Sequence, residues 1–146
     1  MMLLRALKCE TVGVENGLLA VEAFDPSIQT VDQVEHLLRH TSSASRSSPP
    51  PTEIDLVLID GNMPVLDGVR ATRAIRSLGV TVPIVAVTGN ALDEDTERFI
   101  RAGANEVLSK PVQRAALEKI LQTFLTGFQV PASVAQQKIN ELKQGR

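Results

Sequence analysis

Asp60, Thr88 and Lys110 are three chemically active side chains, and each directly follows a short run rich in apolar residues. These runs are 56–59, 82–87 and 105–109. Short runs of Leu, Ile and Val bounded by turn residues predict strands buried on both faces of a sheet. In a parallel sheet the carboxyl ends of the strands meet at one edge, where ligands bind in open α/β proteins. We therefore expect the three side chains to converge.

Together, these three residue types suit phosphoryl transfer. Asp60 would be the nucleophile that becomes an aspartyl phosphate. Lys110 would hold the phosphoryl oxygens by its charge, and the Thr88 hydroxyl would donate a hydrogen bond to the same oxygens. A plain salt bridge between Asp60 and Lys110 fits the spacing equally well, so both interpretations stay open at this level.

The elements that position these residues follow from periodicity and turn chemistry. Helices are predicted at 18–24, 31–39, 69–78, 91–102, 112–125 and 133–143. Residues 1–8 read as the end of a helix, and residues 11–14 as a short strand. Strands that alternate with helices at this spacing predict a parallel sheet built from right-handed βαβ units.

An insertion separates the N-terminal part from the Asp60 strand. Thr30 and Gln33 have the spacing of a capping box, which predicts the start of the helix at 31–39. Residues 41–51 are rich in Ser and Pro and predict a disordered loop. We therefore assign 26–52 as a low-complexity insertion loop with a short helix.

The composition limits the class of protein. With 146 residues, a net charge of -2 and 43% hydrophobic residues, the chain is typical of one soluble domain with tails. It has no Trp or Tyr and no basic excess, which argues against a nucleic-acid surface. The single cysteine excludes an internal disulfide, and His36 and His40 indicate a solvated helix face rather than a zinc site. No run reaches membrane-spanning length, so a cytoplasmic or nuclear location is expected.

Three sequence blocks in this order resemble the receiver domain of two-component response regulators and hybrid histidine kinases. The blocks are LIDGNMP-x-x-DG, PIVAVTGNA and GANEVLSKP. The resemblance implies a flavodoxin-like fold, an α/β doubly wound parallel sheet with strand order 2-1-3-4-5. It assigns residues 1–126 to the receiver-like domain and 127–146 to a C-terminal tail.

The resemblance also implies roles for individual residues. Asp60 would be the phosphoacceptor, Thr88 the switch hydroxyl and Lys110 the phosphate-binding lysine, with a cis peptide bond before Pro111. Asp60 and the backbone carbonyl of Asn62 would bind Mg²⁺. Pro64 and Gly68 would shape the loop that follows the phosphoacceptor, as Pro111 would after the lysine.

By the same resemblance, the phosphoryl donor would be a phosphohistidine on a histidine kinase or a histidine phosphotransfer protein. The chain itself would be no enzyme, and any kinase activity would lie outside it. A small hydrolase with Asp60 as nucleophile would need a second Asp two residues later, but position 62 is Asn.

The chain departs from the family pattern at its N-terminus. Residues 1–8 align with the second half of the family's first helix, so the first strand and its pair of acids are missing. We expect an incomplete gene product, although residues 11–14 pairing with the central strand, or a strand from another chain, would also fill the gap. The alternative function is a pseudo-receiver interaction module, or a fragment of a hybrid kinase, that is phosphorylated weakly because the metal-binding acids are absent. Val107 also stands where the family often has Tyr or Phe.

Overall fold

A computed structural model describes residues 2–40, 53–89, 92–125 and 144 of the chain. The chain divides into two compact units, one formed by 1–13 with 113–146 and the other by 14–112. The elements of the first unit are α1 (Met2–Ala6) and α6 (Arg114–Phe124). Those of the second are α2 (Gly17–Glu22), α3 (Val31–His40), β1 (Val57–Asp60), α4 (Gly68–Ser77), β2 (Ile84–Thr88), α5 (Asp93–Ala102) and β3 (Glu106–Ser109).

The described strands form a parallel sheet in the order β1-β2-β3. Asp60 is in register with Val87, and Thr88 is in register with Ser109. Every position of β2 from Ile84 to Ala86 is fully buried, as expected for a parallel strand covered on both faces. The three strands predicted to end at Asp60, Thr88 and Lys110 are therefore confirmed. They neighbour one another as strands 3, 4 and 5 do in the predicted order 2-1-3-4-5.

The helix boundaries follow local capping chemistry. The Asp67 carboxylate accepts a hydrogen bond from the backbone N–H of Arg70 and begins α4. The predicted capping box of α3 is present, because Thr30 Oγ1 accepts from Gln33 N–H while Gln33 Oε1 accepts from Thr30 N–H. Gly103 is the C-cap of α5 and has a left-handed φ of 111°.

The prediction of a strand at 11–14 is wrong. These residues adopt no regular secondary structure, and Val12 is 90% exposed. A strand needs a hydrogen-bonded neighbour, and none of the described strands pairs with this segment.

The insertion is partly an ordered helix. In α3, Val34 is fully buried and belongs to the same core cluster as Ile59 and Ile75. Glu35 of α3 also forms an ion pair with Arg70 of α4. The rest of the predicted insertion loop, 41–52, and the predicted helix at 133–143 lie outside the described residues, and the proposed domain boundary at 126 stays a prediction.

Arg76, near the end of α4, joins the loop that precedes β2 to the loop that precedes β3. Its guanidinium donates four hydrogen bonds of 2.7–2.9 Å, to the carbonyls of Val80, Val82 and Gly103 and to Asn105 Oδ1. A single planar guanidinium satisfies all four acceptors because its donors form a rigid fork. Arg76 thus fixes the C-terminal end of α5 relative to α4.

We predict that Arg76→Met lowers the free energy of unfolding by about 2–3 kcal/mol, because hydrogen bonds to a charged group are lost together. Urea denaturation measures this change. The control is Arg73→Met, an exposed arginine on the same helix, for which the change should stay within about 0.5 kcal/mol. Equal effects of the two substitutions would contradict the role given to Arg76.

Candidate functional site

Asp60 and Lys110 meet at the carboxyl edge of the sheet. Lys110 Nζ donates a hydrogen bond of 2.6 Å to Asp60 Oδ2. Both side chains stay partly accessible, at 38% for Asp60 and 44% for Lys110. The predicted convergence of these two residues is therefore confirmed, with the carboxylate open to a reactant from solvent.

The backbone brings the two side chains together. Gly61 N–H donates to the Val87 carbonyl at 3.1 Å, which extends the β1–β2 ladder by one residue beyond Asp60. Lys110 N–H donates to the Thr88 carbonyl at 2.8 Å and extends the β2–β3 ladder in the same way. The peptide bond between Lys110 and Pro111 is cis, as the resemblance implied.

The environment of Asp60 favours its ionised form. Partial burial raises the pKa of this carboxyl, but the hydrogen bonds from Lys110 Nζ and Asn62 N–H and the charge of Lys110 outweigh that effect, so the pKa lies below its usual value. Asn62 N–H donates to Oδ1 at 2.9 Å. At neutral pH the side chain is therefore an anion, the form that a nucleophilic carboxylate requires.

The loop after Asp60 folds back tightly onto the strand end. Gly68 N–H donates to the Gly61 carbonyl at 3.2 Å, and a Cβ atom on Gly68 would lie only 2.2 Å from the Asp60 carbonyl oxygen. Within the loop between Gly61 and Gly68, the Pro64 carbonyl accepts a hydrogen bond from Leu66 N–H at 2.8 Å. Val65 has a left-handed φ of 70°, which is uncommon for a β-branched residue, and is 60% exposed.

Thr88 ends β2 beside this loop and is buried, with 7% of its surface exposed. Its Oγ1 lies 3.7 Å from the position that a Cβ on Gly61 would take. The hydroxyl therefore lies close to the backbone that carries Asp60. The grouping of Thr88 with Asp60 and Lys110 as phosphate-binding residues stays a prediction.

Sequence reasoning missed Phe99 of α5. The tip of its ring contacts the region of Gly61, with Cε2 and Cζ each 3.3 Å from the position of a Cβ on that residue. The sequence signal was weak: Phe99 is the one aromatic residue between Thr88 and Lys110. Nothing in its spacing connected it with Asp60.

The described residues do not by themselves fit a resident magnesium ion. Both oxygens of the Asp60 carboxylate already accept hydrogen bonds, from Lys110 and from Asn62. Within the described part of the chain, no group of three or more His, Cys, Asp or Glu side chains could hold a metal. Magnesium prefers a near-octahedral set of oxygens, which this donor set does not complete.

The family model of the response regulator receiver domain matches residues 13–122. The receiver domain of the sensor histidine kinase PA1611 from Pseudomonas aeruginosa PAO1, solved with a magnesium ion coordinated in its active-site cleft, is similar to this chain. The two share 35% identity at a TM-score of 0.58, over 84% of this chain and 82% of that one.

Two relatives match over shorter segments. The two-component response regulator ORR41 of Oryza sativa subsp. japonica is 53% identical over 70 residues, which is 48% of this chain and 55% of that protein. Two-component system protein A of Emericella nidulans is 46% identical over 71 residues, 49% of this chain but 10% of that protein. The chain thus spans about half of the first relative and a tenth of the second.

This chain belongs to the response regulator receiver domain family. The predicted class of protein and its flavodoxin-like α/β fold are confirmed. Receiver domains of two-component systems work with histidine kinases, and they are typically phosphoacceptors without enzymatic activity of their own. In the part of the chain that the structure describes, no helix has the length and apolar character to span a membrane.

We predict that the carboxyl group of Asp60 titrates below the usual aspartate value of about 3.9, and that Lys110→Met raises its pKa, because a hydrogen bond and a positive charge are removed. Since the folded-state pKa is lowered, the stabilisation by this group is present above the unfolded-state value and is lost as the pH falls through the folded-state pKa. Carboxyl-detected NMR titration measures both values. Arg101→Met removes an exposed cation of α5 that pairs with Glu97 and should leave the Asp60 titration unchanged.

We predict that Gly68→Ala destabilises the protein by about 1–3 kcal/mol, because its methyl group would overlap the Asp60 carbonyl. Thermal or urea unfolding measures this loss. Gly89→Ala is the control, since no atom of the described residues lies within 4 Å of its added Cβ. In most helical positions alanine is more favourable than glycine, so a more stable Gly68→Ala protein would contradict the close contact.

Proposed function

We propose that this receiver domain accepts a phosphoryl group on Asp60 from a phosphohistidine. One observation carries the proposal: the partly exposed Asp60 carboxylate lies 2.6 Å from the Lys110 ammonium at the carboxyl edge of the sheet. A nucleophile beside a cation is the arrangement that a phosphoryl acceptor needs, because negative charge accumulates on the transferred oxygens.

The reaction requires no oxidant or further reactant. An oxygen of the Asp60 carboxylate attacks the phosphorus atom, the bond between phosphorus and the donor imidazole nitrogen breaks, and the imidazole takes up a proton. The product is an acyl phosphate on Asp60 and a neutral histidine on the donor. Lys110 stays beside the new phosphoryl oxygens as their counter-charge, and the Thr88 hydroxyl donates to one of them.

The partner that this chemistry implies is a histidine kinase or a histidine phosphotransfer protein. We propose that the chain acts as the phosphoacceptor alone and that any kinase activity resides in residues outside it. The comparisons do not favour the interaction-module alternative, which predicts weak or no phosphoryl uptake.

We predict that the protein gains one phosphoryl group when it is incubated with acetyl phosphate and magnesium, as detected by intact-mass spectrometry. Asp60→Asn should abolish the gain, and Lys110→Met should slow it by about 100-fold, the usual loss when one contact to developing charge is removed. The assay contains magnesium because the PA1611 receiver holds this ion in its cleft.

The matched control is Asp55→Asn, which removes an exposed carboxylate five residues before the site. This variant should take up phosphoryl like the parent protein. Uptake that persists in Asp60→Asn, or no uptake by the parent protein, would contradict the proposed phosphoacceptor.

A further inference from the structure

His36 and His40 form a pair of neighbouring rings on α3. The two residues are four positions apart, so they lie on one face of the helix. Their ring centroids are 4.3 Å apart, and the ring planes are tilted by 38°. Both residues are exposed, as expected for a solvated helix face. The structure thus presents two imidazoles to solvent at one place, at a distance that the sequence did not reveal.

The distance between the two rings suits the chelation of one metal ion. Imidazole nitrogen is a good ligand for Zn²⁺, Cu²⁺ and Ni²⁺, and two histidines four residues apart on a helix can bind the same zinc ion. With Zn–N bonds of about 2.0–2.1 Å, the ring centres of two chelating imidazoles lie roughly 4.5–5 Å apart. Because both side chains are exposed, a small rotation about their side-chain bonds brings the rings to that distance.

The electrostatic surroundings of the pair favour a cation. His40 is the last residue of α3, and the C-terminal end of a helix carries a partial negative charge. Asp32, an exposed carboxylate, lies one turn before His36. Arg39 is the neighbouring cation, but its Nε donates to the Glu35 carbonyl at 3.3 Å, so the guanidinium is held at the preceding turn.

The helix that carries the pair is fixed to the rest of its unit. Val34 is fully buried in the core cluster, and Glu35 forms an ion pair with Arg70 of α4. His36 and His40 follow these two anchors on the exposed side of the helix. A metal ion can therefore bind there without any rearrangement of the core, and it would join the two ends of the last turn of α3.

We propose that His36 and His40 form a binding site for a divalent transition metal ion, of which zinc is the test case, and that the bound ion holds the last turn of α3 in helical form. Within the described residues, no group of three or more His, Cys, Asp or Glu side chains could hold a metal, so water completes the coordination. The two imidazoles meet only while this turn is helical, so metal binding and the helix end stabilise each other. The site does not involve Asp60 and is independent of the proposed phosphoryl transfer.

Isothermal titration calorimetry with zinc chloride at pH 7.5 tests the site, on the full chain without a polyhistidine tag. His36→Gln and His40→Gln should each weaken zinc binding by about tenfold or more, because even the loss of a hydrogen-bonding partner of a metal ligand costs about 10–100-fold. Both positions are exposed on the helix, so the variants should keep the fold, which far-ultraviolet circular dichroism checks.

Three further variants are the matched controls. Asp32→Asn removes the exposed carboxylate one turn away on the same face, Cys9→Ser removes the single thiol, and Asp60→Asn removes the phosphoacceptor. Each should bind zinc within about twofold of wild type, since exposed charges are largely screened by salt. The Asp60→Asn control also separates this site from the proposed function, because its zinc binding should persist while its phosphoryl uptake is lost.

Hydrogen exchange of a peptide covering residues 31–40, followed by mass spectrometry, tests the effect on the helix. At a free zinc concentration of ten times the measured Kd, exchange in the last turn of α3 should slow about tenfold in wild type, because opening this turn must release the metal. Magnesium at the same concentration should have no effect, since it prefers oxygen ligands.

Three results overturn the proposal. The first is that wild type binds no zinc, and the second is that either histidine variant binds zinc as tightly as wild type, which would place the ion elsewhere. The third is that zinc binds but leaves the exchange of the last turn of α3 unchanged, which would mean an adventitious ion only.

Discussion

The site depends on the parallel pairing of β2 with both β1 and β3. This pairing places Asp60 level with Val87 and Thr88 level with Ser109, so the residues that follow the three strands share one edge. Lys110 can then reach across β2 to Asp60 and form the 2.6 Å contact. If either ladder slipped by one residue, the side chain at the strand end would turn to the other face of the sheet, and the ion pair would be lost.

Close backbone contacts at two glycines set the positions of α4 and α5 relative to Asp60. Gly68 lets α4 begin directly against the Asp60 carbonyl, and Gly61 leaves room for the ring of Phe99 from α5. Each contact exists because a Cβ is absent, so the glycines set how near the helices approach the phosphoacceptor. The charged pocket and the two helices beside it therefore form one closely packed body within residues 14–112.

Two arginine side chains of α4 fix this helix to neighbouring elements further from the site. Arg76 joins the end of α4 to the loop before β2 and to Gly103 at the end of α5, while Arg70 joins the start of α4 to Glu35 of α3. The insertion helix is thus part of the core rather than an appendage, as the complete burial of Val34 indicates. The helix α4 is held at both ends, and α5 at its C-terminal end.

The sequence alone determined the three strands, the residues that end them and the capping box of α3, because apolar runs and the Thr30–Gln33 pair act through neighbours in the chain. It also determined the class of protein, since three motif blocks keep their order and spacing. Tertiary structure decided that residues 11–14 form no strand, because a strand is stable only beside a partner that sequence periodicity does not reveal. It likewise decided that Phe99 meets Gly61 and that Arg76 meets Gly103. These contacts join residues 38 and 27 positions apart in the sequence. The local sequence pattern therefore does not predict the contacts, and only the packed fold brings the residues together.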